Sequence, residues 1–351
     1  MSSSDRPCRR DVLRTLVAGA VAAAAAPFAL IAAAAPRAGC PPRLKPGDVV
    51  GLVNPAGATY EEVDLQIVEE TLGALGLRCR RGVHILDRYG YLAGKDEDRA
   101  ADVNSMFADD SVQAVLTVRG GWGCSRILPL LDYDTIRKHP KILCGYSDIT
   151  ALLVALYARA GLVTFHGPVG TSTWNEFSTS LFRRILFDGE KVTMVNPTTK
   201  GDVLVPTKDR VETLVGGTAR GILVGGNLSV LTGMIGSDYL PPWDDVILFV
   251  EDEGEHVGRV DRMLTQLKLA GVLGKIRGFI FGKCTNCGPA EGYGSLTLHD
   301  VLVDHIAPLR IPSWYGAMIG HIENKFTLPI GIEAEIDAER GSIALLEPAV
   351  V

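Results

Sequence analysis

Ser147 is the residue whose setting most suggests chemistry. It follows the apolar run KILCG through Tyr146 and precedes the helical pattern DITALLVALYARAG. A serine at such a strand-to-helix turn is held out at the carboxyl edge of an open α/β sheet, where ligands bind. The helix start leaves N–H groups, beginning with that of Asp148, free to face a developing oxyanion. A plain helix cap uses the same residue type, and the full G-x-S-x-G elbow is not met because Ile149 fills its last position. Upstream, Arg119-Gly120-Gly121-Trp122-Gly123 follows the apolar run AVLTV. Its glycines let backbone approach a ligand, so the turn from Gly121 to Gly123 is a second candidate oxyanion donor. No G-x-G-x-x-G accompanies it, and no dinucleotide cofactor is expected.

A carboxylate and a base must complete such a site. Glu251 ends the apolar run VILFV and opens into Asp252-Glu253-Gly254-Glu255. At a strand's end it can orient a histidine, or it can belong to a solvated acidic loop. For the base, spacing does not choose between His166, in FHGP, and His321, in MIGHIENK. None of the seven histidines falls in an H-E-x-x-H pattern, and Cys284-Thr-Asn-Cys287 lacks a second ligand pair, so no metal is expected. In an oxidising compartment that cysteine pair can instead close a small disulfide.

The elements that must hold these residues come in two grammars. From Lys45 to residue 170 short apolar runs alternate with helical periodicity, which predicts a doubly wound, mostly parallel sheet covered by helices. Residues 171–215 lose the rhythm and read as a connecting region. From 216 to 351 strands outnumber helices, predicting a β-rich α+β or barrel-like second lobe.

The chain has 351 residues, 47% of them hydrophobic, and a net charge of -6 without a long basic block, which excludes whole-chain disorder and argues against a nucleic-acid partner. Residues 1–35 carry Arg9-Arg10 and then an Ala-rich apolar run, the layout of a twin-arginine-like signal peptide, and predict an exported, periplasmic protein with no stable membrane insertion after cleavage. An uncleaved membrane anchor is the alternative.

Taken in order, LTVRGGWGCSRILPLLDY, GYSDITALL with FHGP behind it, GGNLSVL, FVEDEGE followed by RVDRMLTQL, and GHIENKFTLPIG resemble the LD-carboxypeptidases, or muramoyltetrapeptide carboxypeptidases. This serine peptidase family also contains the microcin-immunity peptidases. The resemblance runs from about Pro42 to Leu346. It implies a nucleophile at Ser147, a base at His321 and a supporting carboxylate at Glu251, assembled in the cleft between the lobes, with His166 a structural residue beside them. It further implies a homodimer, no cofactor, and a murein tetrapeptide substrate cleaved between meso-diaminopimelate and terminal D-alanine. Arg119, Asn227 and Arg259 are the candidate substrate-binding residues. Cys124 stands where a smaller residue is more usual, and Glu323 and Lys325 add charge to the loop of His321. Two other readings remain. A microcin-immunity-like peptidase acting on a peptidyl-nucleotide needs aromatic walls, for which Trp174 and Trp314 are candidates, but the export signal opposes a cytoplasmic toxin as its target. A non-catalytic periplasmic muropeptide-binding module would have kept the scaffold and lost turnover.

Overall fold

Parallel strands at the centre of a sheet are covered on both faces and therefore read as unbroken apolar runs. Four such runs build the first sheet of the computed structural model, which describes residues 39–198, 202–289 and 294–351. They are β1 (Val49–Val53), β3 (Ala114–Thr117), β4 (Ile142–Gly145) and β5 (Thr164–His166), with β2 (Arg78–Arg81) at the edge beyond β1. The order β2-β1-β3-β4-β5 is that of a doubly wound fold, as predicted, and its direction of winding switches between β1 and β3. Helices α1 (Glu62–Ala74), α2 (Asp96–Ala108), α3 (Cys124–Ile127), α4 (Tyr133–Lys138) and α5 (Thr150–Ala160) make the crossovers.

In the region 171–215 the structure has α6 (Glu176–Leu186), capped by Asn175, then β6 (Thr193–Val195) and β7 (Glu212–Val215), which become the two edge strands of a second sheet. The remaining strands are β8 (Thr218–Asn227), β9 (Val246–Glu253), β10 (Gly278–Thr285), β11 (Ser313–Tyr315), β12 (Leu328–Ile330), β13 (Glu333–Asp337) and β14 (Ser342–Leu345). The second sheet runs β6-β14-β13-β8-β9-β10-β11-β7. Its centre, β8 to β11, is parallel, and the crossovers include α7 (Leu228–Gly233), α8 (Val257–Leu269) and α9 (Leu298–Ile306). The sheet stays open and does not close into a barrel, because β6 and β7 lie at opposite edges and do not pair. Strand β12 leaves it altogether and pairs antiparallel with β5, so the segment after His321 is stitched into the first sheet.

Helix α5 joins the two layers. Nine of its eleven residues are buried, far more than the one apolar stripe of a surface helix, because it packs on β5 in the first sheet and on β8 in the second. The helix stops at Gly161, whose φ of 68° is the left-handed conformation that ends helices. The expected signal peptide, residues 1–35, lies outside the described residues. Among those described, no helix is long and apolar enough to cross a membrane.

Leu153 is fully buried in α5. Leu153→Ala is expected to lower unfolding free energy by about 2–5 kcal/mol in a urea titration, the cost of a core cavity. A loss under about 1 kcal/mol would contradict the role given to α5.

Candidate active site

Strand β4 ends at Gly145, and two residues later Ser147 opens a 3₁₀ turn, Ser147–Ile149, that leads into α5. Ser147 has φ 63°, a left-handed conformation that a non-glycine residue adopts only when its surroundings impose it. The imposing neighbour is the turn after β3. A Cβ on Gly120 would lie 2.9 Å from that of Ser147, so only glycine allows this approach. The plain-cap alternative fails in the structure, since the Ser147 hydroxyl makes no capping hydrogen bond at the start of α5 and instead meets a histidine.

That histidine is His321. Its Nε2 lies 2.9 Å from Ser147 Oγ, and its Nδ1 lies 2.9 Å from Glu251 Oε2. The three side chains come from β4–α5, the loop before β12, and the end of β9, and the last two belong to the second half of the chain. Glu251 has no exposed surface, so its charge is screened only by protein. Asn227 donates from Nδ2 to Glu251 Oε1 at 3.2 Å and to Asp252 Oδ1 at 3.0 Å. The loop of His321 is fixed against Glu251 at Gly320, with φ 117°, where a Cβ would sit 2.6 Å from Glu251 Oε2. It is also fastened to α6: Lys325 N–H donates to Ser178 Oγ at 3.0 Å, and Asn175 Nδ2 donates to Asn324 Oδ1 at 2.8 Å.

Burial draws the His321 pKa down, but the hydrogen bond and charge of Glu251, with the charges of Glu253 and Asp252, outweigh it and hold it above the ordinary histidine value. Glu253 Oε2 lies 3.4 Å from Nε2, on the same side as Ser147. The other candidate base, His166, is 2% exposed and packs edge-on against Phe249 and Tyr146. Burial pushes its pKa down to about 4, and neither ring nitrogen has a partner among the described residues, so it stays neutral and outside the chain of hydrogen bonds.

Ser147 and His321 line a cleft of about 370 Å³ that is open to solvent, and Glu251 lies buried behind the imidazole. Asp148, Gly121, Arg119 and Asn227 all line it. Asn227 spends its amide on two carboxylates, so it holds the site together more than it awaits a substrate. Two expected residues are corrected. Gly123 does not line the cleft: with φ 103° it turns the chain into α3, and its carbonyl accepts from buried Arg99. Arg259 points outward on α8 and pairs with Glu255 at 3.3 Å. Trp174 and Trp314 also fail as cleft walls. Trp174 donates to Gly170 O and packs on Phe182, and Trp314 is wholly buried in β11. The aromatic rings on the cleft are Tyr146 and Trp122, the latter 71% exposed, a residue that sequence placed only in a glycine turn.

Cys284 and Cys287 are joined in a disulfide at the end of β10, the bond that their spacing allowed. Among the described residues one group of three possible metal ligands occurs, His84, Asp87 and Asp98, and none of them lines the cleft.

An α/β sheet with a serine at its carboxyl edge, met by a glutamate from a second sheet and a histidine from the loop that joins the two sheets, suits a two-lobed hydrolase. The LD-carboxypeptidase N-terminal domain matches residues 50–167 and the LD-carboxypeptidase C-terminal domain matches residues 220–336. The chain belongs to this carboxypeptidase family. A "Probable murein peptide carboxypeptidase" of Bacillus subtilis is 38% identical over 86% of this chain and 93% of its own length. Among solved structures, the muramoyltetrapeptide carboxypeptidase of Oxalobacter formigenes matches with a TM-score of 0.71 and 29% identity, covering 85% of this chain and 97% of that one. The microcin C7 self immunity protein MccF, in complex with aspartyl sulfamoyl adenosine, matches with a TM-score of 0.80 and 27% identity over 89% of this chain and 99% of that one.

Glu251→Gln removes the charge that raises His321, and the His321 ring is expected to titrate at lower pH in the variant than in the parent, as followed by NMR. A midpoint that does not fall would contradict the assignment of Glu251 as its partner.

Proposed function

We propose that this protein is a serine LD-carboxypeptidase that hydrolyses the amide between the L-centre of meso-diaminopimelate and the terminal D-alanine of murein tetrapeptides. The observation that carries this reading is the unbroken chain from Ser147 Oγ, on an open cleft, through His321 to buried Glu251. The names of the relatives, murein peptide and muramoyltetrapeptide carboxypeptidases, support the substrate.

In this mechanism His321 Nε2 takes the Ser147 proton as Oγ attacks the amide carbon, and Glu251 holds the tautomer with hydrogen on Nδ1 and stabilises the imidazolium. Backbone N–H groups of Asp148 and Gly121 face the oxyanion. His321 then gives its proton to the leaving nitrogen, the C–N bond breaks, and D-alanine departs. Water, deprotonated by His321, attacks the acyl ester and regenerates the Ser147 hydroxyl. No step requires a cofactor. Because His321 must be neutral to act and its pKa lies above the ordinary value, kcat/KM should climb with pH through a limb above about 6.5.

The charges around Ser147 favour this substrate over an aspartyl-nucleotide. The first lobe offers the guanidinium of Arg119, which suits the carboxylate of the leaving D-alanine. The second lobe offers Asp252 and Glu253, which attract the free ammonium of diaminopimelate and repel an acidic aminoacyl group, while Glu255 is paired with Arg259. In this reading residues 1–35 deliver the folded enzyme to the periplasm, where murein lies, and the enzyme acts there as a homodimer.

With a murein tetrapeptide as substrate, mass spectrometry is expected to find D-alanine released by the parent and not by Ser147→Ala, a loss of about 10³-fold or more. Release by both, or by neither, would contradict the assignment. Of two tetrapeptides carrying lysine or norleucine in place of diaminopimelate, the norleucine peptide should be cleaved about tenfold or more slowly, with the gap shrinking in Glu253→Gln. Equal rates on the two peptides would show that the acidic wall does not read the ammonium.

A further inference from the structure

Lys325 is four residues beyond His321, in a polar loop where a lysine ordinarily extends into water. Here it is 4% exposed. Its backbone N–H is held by Ser178, and its ammonium lies over the face of Tyr146, 5.0 Å from the ring centroid. Tyr146 precedes Ser147 in the chain, and the same ring meets the His321 imidazole edge-on at a centroid distance of 5.0 Å. One aromatic ring therefore touches the buried cation on one hand and the imidazole on the other. No hydrogen bond to a protein acceptor occupies the ammonium among the described residues, so packing on Tyr146 and the field of nearby carboxylates account for its place.

We propose that Lys325 is a positioning residue for the Ser147–His321–Glu251 chain, a largely buried side chain whose ammonium balances the Glu251 carboxylate in the resting enzyme and restrains the proton affinity of His321 across the Tyr146 ring. The inference rests on the hydrolase reading given above. A carboxylate with no exposed surface needs a compensating charge, and while His321 is neutral that charge must come from elsewhere. The charged and titratable groups facing Lys325 are few. Glu251 on β9 and Glu323 on its own loop act on it with negative charge. His166, on β5, is the histidine on which its charge acts directly, and it is neutral at working pH, while His321 meets Lys325 only across the Tyr146 ring. Tyr146 offers only its ring face, since burial raises its phenol pKa. Burial pushes Lys325 itself down to about 8, against which Glu251 and Glu323 pull upward. Its charge therefore disappears within an accessible pH range, while that of an arginine in its place would not.

The test is a pH titration of the His321 ring by ¹⁵N NMR in the full chain and in Lys325→Met and Lys325→Arg, a readout that needs no substrate. Two changes are expected. Loss of the cation in Lys325→Met should raise the His321 midpoint by roughly 0.5–1 pH unit. The parent His321 resonance should also show a second inflection near pH 8, where Lys325 loses its proton, and this should vanish in both variants. Kinetics give the counterpart: the alkaline limb of kcat/KM near pH 8 in the parent should move upward in Lys325→Arg. An unchanged midpoint in Lys325→Met, together with an inflection that persists in Lys325→Arg, would overturn the proposal and leave Lys325 a packing residue. If Lys325→Met does not fold, Lys325→Arg decides alone: loss of the inflection supports the proposal and its persistence overturns it. If the parent releases no D-alanine, the substrate reading fails while the His321 titration still decides this one.

Discussion

A carboxylate with no exposed surface, hydrogen-bonded to an imidazole that in turn reaches a serine hydroxyl, is the constraint to which the rest of this molecule answers. The three groups come from two different sheets, so their alignment within hydrogen-bond distance requires both sheets to be fixed to one another. Helix α5, buried on nearly every side, does this from within. Strand β12 does it from the chain itself, by carrying the segment after His321 back to pair with β5. The left-handed backbone of Ser147 and the approach of Gly120 are the local cost of presenting the hydroxyl at the right point, and the surrounding core over-determines them.

Charge is distributed with the same economy. Negative side chains gather on the second lobe, where Glu251 orients His321 and Asp252, Glu253 and Glu255 line the cleft. Burial, helped by the neighbouring charge of Glu251, pushes Asp252 up to about 6 even though Asn227 and two backbone N–H groups stabilise its anion. So many carboxylates around one histidine would overstabilise the imidazolium and leave a poor base. The proposed role of Lys325, across the Tyr146 ring, is to oppose that tendency. In the proposed reaction the same acidic groups bear on both the substrate and the basicity of His321.

How much of this was legible beforehand depended on whether a residue's role is local. The parallel strands and their helices announce themselves by apolar runs and periodicity, and Ser147 by the strand-to-helix turn that carries it. Glu251 is visible as a strand end. The choice of His321 over His166 is not visible in spacing, since it depends on a loop 174 positions from Ser147 folding back onto it, and only the ordered motifs of the family singled it out. Gly123 and Arg259 had the right residue types in the right motifs, but Gly123 turns the chain into α3 and Arg259 stands outside the lining, paired with Glu255 at the cleft wall. Lys325 was hidden for the opposite reason: nothing in HIENKFTLP distinguishes a buried lysine from a solvated one, because its burial is made by α6 and Tyr146. The open second sheet eluded strand counting, which does not reveal that the central four strands run parallel.

The most direct test of the account is to stop turnover of a murein tetrapeptide with acid at early times and map the protein by mass spectrometry. The account predicts an ester on the peptide that contains Ser147, with the mass of the substrate less D-alanine, forming no later than D-alanine appears. An acyl group on any other residue, or D-alanine released at the parent rate by Ser147→Ala, would contradict it.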